Sequence, residues 1–270
     1  MSPSDQLVHL EHENGIATIT LNRPDAGNAM SLAFVEQLSA IANAVAEDAS
    51  VRCVLLTGTG RFFSVGGDIG AFREAGEEVP RLLEEVTRHL HKAVALLVRM
   101  EKPLVTAING PAAGAGLGLA VLGDIAIAAE GAHFSMAYTA IGLTPDAGTS
   151  AILPRLVGLR KTQELALTNR RVPSGEAVEI GLITKVVPAD DLLSEAREAA
   201  RKLADGPAHA FGAVRKLLAS GFELSFEDQL AREAETISQA AGEPEGREGI
   251  TAFLEKRPAV FRLGQIQETA

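Results

Sequence analysis

The sequence predicts an α/β fold on three observations: a β-hairpin at the start, apolar strands alternating with helical patterns in the middle, and a strand-free helical tail. Leu7 to Glu13 and Ile16 to Leu21 are apolar, β-branched runs, and Asn14-Gly15 between them is a two-residue hairpin turn. Ser31 stands as an N-cap before the helical pattern LAFVEQLSAIANAVAED. VRCVLLTG then reads as a buried strand that stops on a glycine turn. A helix from about Arg81 to Met100 leads through Lys102-Pro103, where proline cannot continue it, into the strand LVTAI. A glycine-rich turn opens the next helix, and DIAIAA follows as a strand. Strand, helix, strand in this rhythm implies parallel crossovers. Beyond Pro188 the chain is mostly Ala, Glu, Arg, Lys and Leu at helical spacing, broken at Gly206-Pro207, Gly221 and Gly242 to Pro244. The expected division is a core over residues 1–188 and a helical region over 189–270, which serves assembly or caps the core.

A chain of 270 residues, 46% hydrophobic and 22% charged, can bury a full globular core; with aromatics at 4% and no Trp, that core is built from Ala, Val, Leu and Ile. The net charge of −10 argues against nucleic acid and anionic membrane as partners, since both are held by excess Lys and Arg. An anionic ligand therefore needs a local basic pocket. The single cysteine, Cys53, lies in an apolar run and cannot pair internally, which fits a reducing compartment and a buried, unreactive thiol. The N-terminus has acids where a signal peptide would be apolar, so the cytoplasm is expected. Gly110 to Ala129 has the length of a membrane span, but its glycines and Asp124 indicate a buried helix followed by a strand.

No GxSxG, HExxH, paired CxxC or GxxxxGK[ST] motif is present, so neither metal nor phosphate-loop chemistry is expected. His89 and His91, two apart on a helix, face different directions and read as surface residues. Two segments carry more information. In RFFSVGGDI a small-residue turn at Gly66-Gly67 precedes Asp68, which opens a helix; amides at a helix start lack intrahelical acceptors and carry partial positive charge. In LVTAINGPAAGAGLGLAVLGD the same sequence of strand, small-residue turn and helix start places a second free amide near Ala115. Taken singly, the first segment is an ordinary strand-to-helix turn and the second a close helix-packing site. Gly114, Gly116 and Gly118 are spaced GxGxG and so miss the GxGxxG of dinucleotide loops, leaving a nicotinamide-dependent oxidoreductase far behind.

Together, and in this order, the two turns resemble the halves of the oxyanion hole of the enoyl-CoA hydratase/isomerase (crotonase) superfamily. LNRPDAGNAM, RFFSVGGDI, KPLVTAINGPAAGAG, IGLTPDAGTS, LTNRRVPSGEAVEIGLITKVV and EGREGITAFLEKRPAVF extend the resemblance over nearly the whole chain. It implies a spiral of ββα repeats with a C-terminal helical trimerisation region, assembled as a homotrimer or a dimer of trimers. It also implies an acyl-CoA thioester as substrate, with coenzyme A carried by that substrate and no separate cofactor. Gly67 and Ala115 would supply the two N–H donors to the thioester oxygen. Val65, Gly66, Asp68 and Gly114 would line the CoA path, Arg23 would meet phosphate, and Phe253 and Lys256 would close the pocket of the same or a neighbouring subunit.

The departure from the family pattern lies in the acid/base residues. Hydratases of this family use two glutamates, and the matching positions here hold Gly118 and Tyr138, neither of which replaces a carboxylate base near neutral pH. Asp146 in PDAG stands just before a helix starting near Ala147, where it could serve as N-cap. Its setting resembles family members that shift double bonds in enoyl- or dienoyl-CoA thioesters, where an aspartate at this place faces the acyl chain. The expected activity is enoyl-CoA isomerisation with Asp146 as proton shuttle. Hydration, thioester hydrolysis, ring isomerisation and acyl-CoA binding without turnover are the alternatives, and Tyr138 reads first as plain packing, with hydrogen bonding or shaping of the pocket as its other roles.

Overall fold

A computed structural model describes residues 6–262 of the chain. The hairpin forms as expected: β1 (Val8–Glu13) pairs antiparallel with β2 (Ile16–Leu21), with Glu13 opposite Ile16 across the Asn14-Gly15 turn. The Ser31 side chain accepts the Phe34 N–H at 3.4 Å to start α1 (Leu32–Glu47). There follow β3 (Cys53–Gly58), α2 (Ile69–Ala75), α3 (Val79–Arg99), β4 (Leu104–Ile108), β5 (Ala112–Ala113), α4 (Ala115–Ala120), β6 (Ile125–Ala129) and β7 (His133–Ser135). The chain continues with α5 (Thr149–Thr168), β8 (Val172–Pro173), α6 (Ser174–Glu179) and β9 (Lys185–Val187), then α7 (Leu192–Asp205), α8 (Ala208–Ser220), α9 (Phe226–Gly242) and α10 (Pro244–Glu255). Helix α3 begins ahead of Arg81 because Pro80, with its fixed φ and no N–H to satisfy, fits the first helical turn.

The main sheet runs β1-β2-β3-β4-β6-β9, parallel from β2 onward, and a small second sheet runs β5-β7-β8. Both faces of the main sheet are covered, which is why its strands read as unbroken apolar runs. Val54, Leu56, Leu104 and Ile108 point into the larger core with α1 and α3, whereas Cys53, Leu55, Val105 and Ala107 point to the opposite face. That second face is closed by α7, whose Leu192, Ala196, Ala200 and Ala204 recur every four residues and let the helix lie close against the sheet. Burial pushes the Cys53 thiol up to about 12, which keeps it protonated and inert.

The helical region is tied to the core by charge-assisted bonds. Arg215 of α8 donates to the main-chain carbonyls of Leu97, Met100 and Lys102 at the end of α3. Arg52 reaches the carbonyls of Ala204 and Gly206 and pairs with the buried carboxylate of Glu245 at 3.0 Å. Among the described residues no helix is long and apolar enough to cross a membrane, and no cluster of three or more His, Cys, Asp or Glu could hold a metal ion.

Candidate active site

The chain leaving β3 passes through buried Phe63 and Ser64 to the paired glycines. Met30 N–H donates to Gly66 O at 2.8 Å, and a planar trans peptide then sends the Gly67 N–H the opposite way. Gly67 lines a cleft of about 490 Å³. Gly66 (φ 90°) is required by close approach: a Cβ there would stand 2.8 Å from Ala113 O and 3.2 Å from Ala115 N. The two small-residue turns are thus pressed together. Asp68 caps α2, its carboxylate accepting the Ala71 N–H at 3.0 Å and the Arg23 guanidinium at 2.6 Å. Those bonds hold the Asp68 carboxyl below the usual carboxylate range despite partial burial.

The second turn is fixed by Gly114, whose N–H donates to Ser135 O at 3.0 Å and whose carbonyl accepts the Gly118 N–H at 3.2 Å. Ala115 is therefore the first residue of α4, and its N–H, like that of Gly67, donates to no acceptor among the described residues. Ala115 also lines the cleft, so two unpaired backbone donors from different strand-to-helix turns border one cavity. A carbonyl oxygen can be polarised there without any side chain taking part.

The facing wall comes from the loop between β7 and α5. The Tyr138 hydroxyl donates to Asp146 Oδ1 at 2.6 Å, and both residues border the cleft. Burial raises the Asp146 carboxyl above its ordinary range, against the pull of the Tyr138 hydrogen bond and the nearby His91. Burial and the adjacent carboxylate push the Tyr138 phenol up in turn. Ala137 (φ 59°) precedes the tyrosine and Ala147 (φ 49°) follows the aspartate, both in a left-handed conformation that costs a residue with a Cβ of order 1 kcal/mol. Strain flanking each partner indicates that the surrounding fold imposes their meeting. Asp146 is not an N-cap: α5 starts at Thr149 after Gly148, because the left-handed turn at Ala147 and Gly148 delays it.

Six of the residues singled out in the sequence border the cleft: Val65, Gly67, Gly114, Ala115, Tyr138 and Asp146. Gly66 and Asp68 sit behind them as supports, and Arg23 is engaged by Asp68 and by Ala29 O at 3.0 Å. Phe253 and Lys256, at the exposed end of α10, line no part of this chain's cleft. Gly118 has no room for a hydratase glutamate, since a Cβ there would lie 2.6 Å from the Ala147 Cβ.

His91 is exposed, as expected, but the surface it occupies is the cleft wall. Its Nε2 accepts the Ala147 N–H at 3.2 Å. Phe72 also faces the cavity, from the segment Phe72 to Val79 expected to contribute to an acyl pocket, as do Leu83 and Thr87, whose only signal was their helical spacing on α3. Val65, Ile69 and Ile141 are unusually exposed for apolar residues, and all three border the cleft.

The family model described as enoyl-CoA hydratase/isomerase matches residues 11–264. The chain belongs to the enoyl-CoA hydratase/isomerase family. It is 39% identical over 254 residues to a relative from Rhodobacter capsulatus named "Probable enoyl-CoA hydratase", covering 94% of this chain and 97% of the relative. It is 37% identical over 250 residues to the 1,2-epoxyphenylacetyl-CoA isomerase of Escherichia coli, covering 92% and 95%. Among solved structures, an enoyl-CoA hydratase from Polaromonas sp. JS666 superposes with a TM-score of 0.89 at 30% identity, over 93% of this chain and 98% of that one. The architecture is the crotonase α/β fold with its helical C-terminal region, and the protein is an acyl-CoA enzyme of this family.

Proposed function

We propose that this enzyme moves a double bond within an acyl-CoA thioester. The thioester oxygen accepts from the Gly67 and Ala115 N–H groups, and Asp146 removes a proton from the acyl chain. The resulting dienolate is reprotonated by Asp146 two carbons away, so a 3-enoyl thioester becomes its 2-enoyl isomer. The cycle takes one proton from the acyl chain and gives one back through Asp146, whose carboxyl proton exchanges with solvent, with no group needed beyond the substrate and these residues.

The observation carrying this reading is that Asp146 is the one acidic side chain lining the cleft among the described residues. One carboxylate suffices for a proton shuttle, whereas the family's hydration uses two. Its raised pKa brings it towards the range where a group both takes and gives a proton. Apolar side chains such as Ile69, Phe72, Leu83 and Ile141 suit an acyl group of hydrocarbon character. The similarity to an isomerase of an aromatic-derived CoA thioester extends the proposed range to ring-bearing acyl groups.

In this proposal the CoA portion runs past Val65, Gly66, Asp68 and Gly114, with Arg23 offering phosphate the guanidinium edge not given to Asp68. Phe253 and Lys256 serve a neighbouring copy's cleft within a trimer or dimer of trimers. Large apolar side chains left open on the helical region, Phe222, Phe226, Ile237 and Phe253 at 65%, 73%, 71% and 84% exposure, support such an assembly. The test is product analysis by NMR and mass spectrometry with paired 2-enoyl- and 3-enoyl-CoA substrates. Isomerisation interconverts them at constant mass; a hydrated product as the main outcome overturns the proposal.

A further inference from the structure

The Gly67 and Ala115 amides come from segments far apart in sequence, and something must hold them at one spacing. Ser64 stands between them, fully buried. Its hydroxyl donates to Asn28 O at 2.9 Å and accepts the Gly66 N–H at 3.2 Å. Of the two adjacent glycine amides, one is thereby occupied and only Gly67 remains available to a ligand. The Ser64 carbonyl accepts the Ala113 N–H at 2.9 Å, two residues before Ala115. The same residue packs under α4, where a Cβ on Gly116 would come within 2.2 Å of Ser64 O.

Asn28 extends the brace. Its side-chain amide donates to the carbonyls of Thr59, Phe62 and Phe63 at 2.9–3.0 Å while its Oδ1 accepts the Arg23 N–H at 2.7 Å. The loop before α1 and the loop after β3 are thus fastened together, with Ser64 as the joint to the second turn.

We infer that Ser64 is a positioning residue that sets the relative placement of the two amides on the thioester oxygen; the inference rests on the oxyanion role proposed for Gly67 and Ala115. Without the hydroxyl, Gly66 N–H and Asn28 O lose their shared partner, so the Val65-Gly66 peptide and the Asn28 to Met30 segment, whose Met30 N–H holds the Gly66-Gly67 peptide, can shift, and the Gly67 donor leaves its line. Substrate affinity, set by the CoA and acyl contacts, changes little, whereas polarisation of the carbonyl falls.

The test is infrared difference spectroscopy of the full-length protein with crotonyl-CoA carrying ¹³C at the thioester carbonyl, alongside kcat and KM on whichever enoyl-CoA isomer turns over. Wild type moves the carbonyl band to lower frequency. Ser64→Ala recovers much of the free-ligand frequency and lowers kcat by about 10- to 100-fold, with KM within a few-fold. Ser64→Cys, which keeps a donor of the same shape on a slightly larger atom and weakens the bonds, moves both in the same direction by less and serves if the alanine variant does not fold. Thr57→Val removes another buried hydroxyl, which donates to Ala107 O at 2.9 Å, and lowers thermal stability without moving the band. A band shifted equally in wild type and both Ser64 variants overturns the role of Ser64 alone. No shift in wild type overturns the oxyanion role and this inference with it.

Discussion

The two walls of the cleft are built on different principles. On one wall, Gly67 and Ala115 present backbone N–H groups, at two strand-to-helix turns held by main-chain hydrogen bonds and by Ser64. On the other, Tyr138 and Asp146 present side chains, on a loop flanked by two alanines in left-handed conformations. A backbone donor tolerates a change of side chain, so the first wall can serve many reactions of an acyl thioester. The second wall offers one carboxylate and one phenol, and in the proposed function it decides which reaction follows. The departures from the hydratase pattern lie at Gly118 on α4 and at Tyr138, and in the proposed function Asp146 on the same loop as Tyr138 takes over the acid/base work.

The largest expected effect comes from the second wall. Asp146→Asn lowers kcat for double-bond migration by about 100- to 10,000-fold, the usual contribution of a positioned base, with KM little changed. On the first wall, Gly67→Pro deletes one donor and costs about 100- to 1,000-fold in kcat; the pyrrolidine ring also crowds Phe72, so circular dichroism must first show a native fold. A swap between patterns sharpens the comparison further. Gly118→Glu, which installs a carboxylate where a hydratase has one, adds no hydration and destabilises the fold by at least about 1–3 kcal/mol, because the new side chain strikes Ala147. Thermal unfolding and hydratase assays check both parts.

A subtler effect tests the Tyr138–Asp146 pair. The hydroxyl hydrogen bond favours the ionised carboxylate, so Tyr138→Phe raises the Asp146 pKa further and moves the acid limb of kcat/KM to higher pH. The smallest effect is on stability. Asp146 has a folded-state pKa above its unfolded one, so as pH rises through the unfolded value the unfolded chain releases its proton first and gains. The resulting penalty is complete above the folded pKa and absent below the ordinary carboxylate range. Asp146→Asn consequently raises the melting temperature at neutral pH, and the gain vanishes in acid.

The elements that carry the first wall were legible in the sequence because their signals are local, whereas the pairing of Gly67 with Ala115 came only from the resemblance of the two turns taken together. Hairpin residues, the Ser31 cap, apolar strands with two covered faces and small residues at two helix starts each act within a few positions. The second wall was legible only in part. PDAG drew attention to Asp146, but nothing local says that Tyr138, eight residues earlier, donates to it, since that meeting depends on alanines forced into a conformation they intrinsically disfavour. The same turn displaced the start of α5 to Thr149 and took the aspartate out of the capping position. His91 was read as a surface residue because helical spacing says which residues share a face, not which face borders a cavity. Phe253 and Lys256 are exposed at the end of α10 and do not line this chain's cleft, so their expected pocket-closing role drew no support from its geometry.

The central claim, that one carboxylate shuttles a proton on an enolate held by two amides, is tested most directly by solvent exchange. Purified protein incubated with an enoyl-CoA in D₂O should place deuterium on the acyl chain at the carbons that exchange the double bond, and Asp146→Asn should place none while still binding the thioester. Exchange that persists in Asp146→Asn at the wild-type rate would contradict the account.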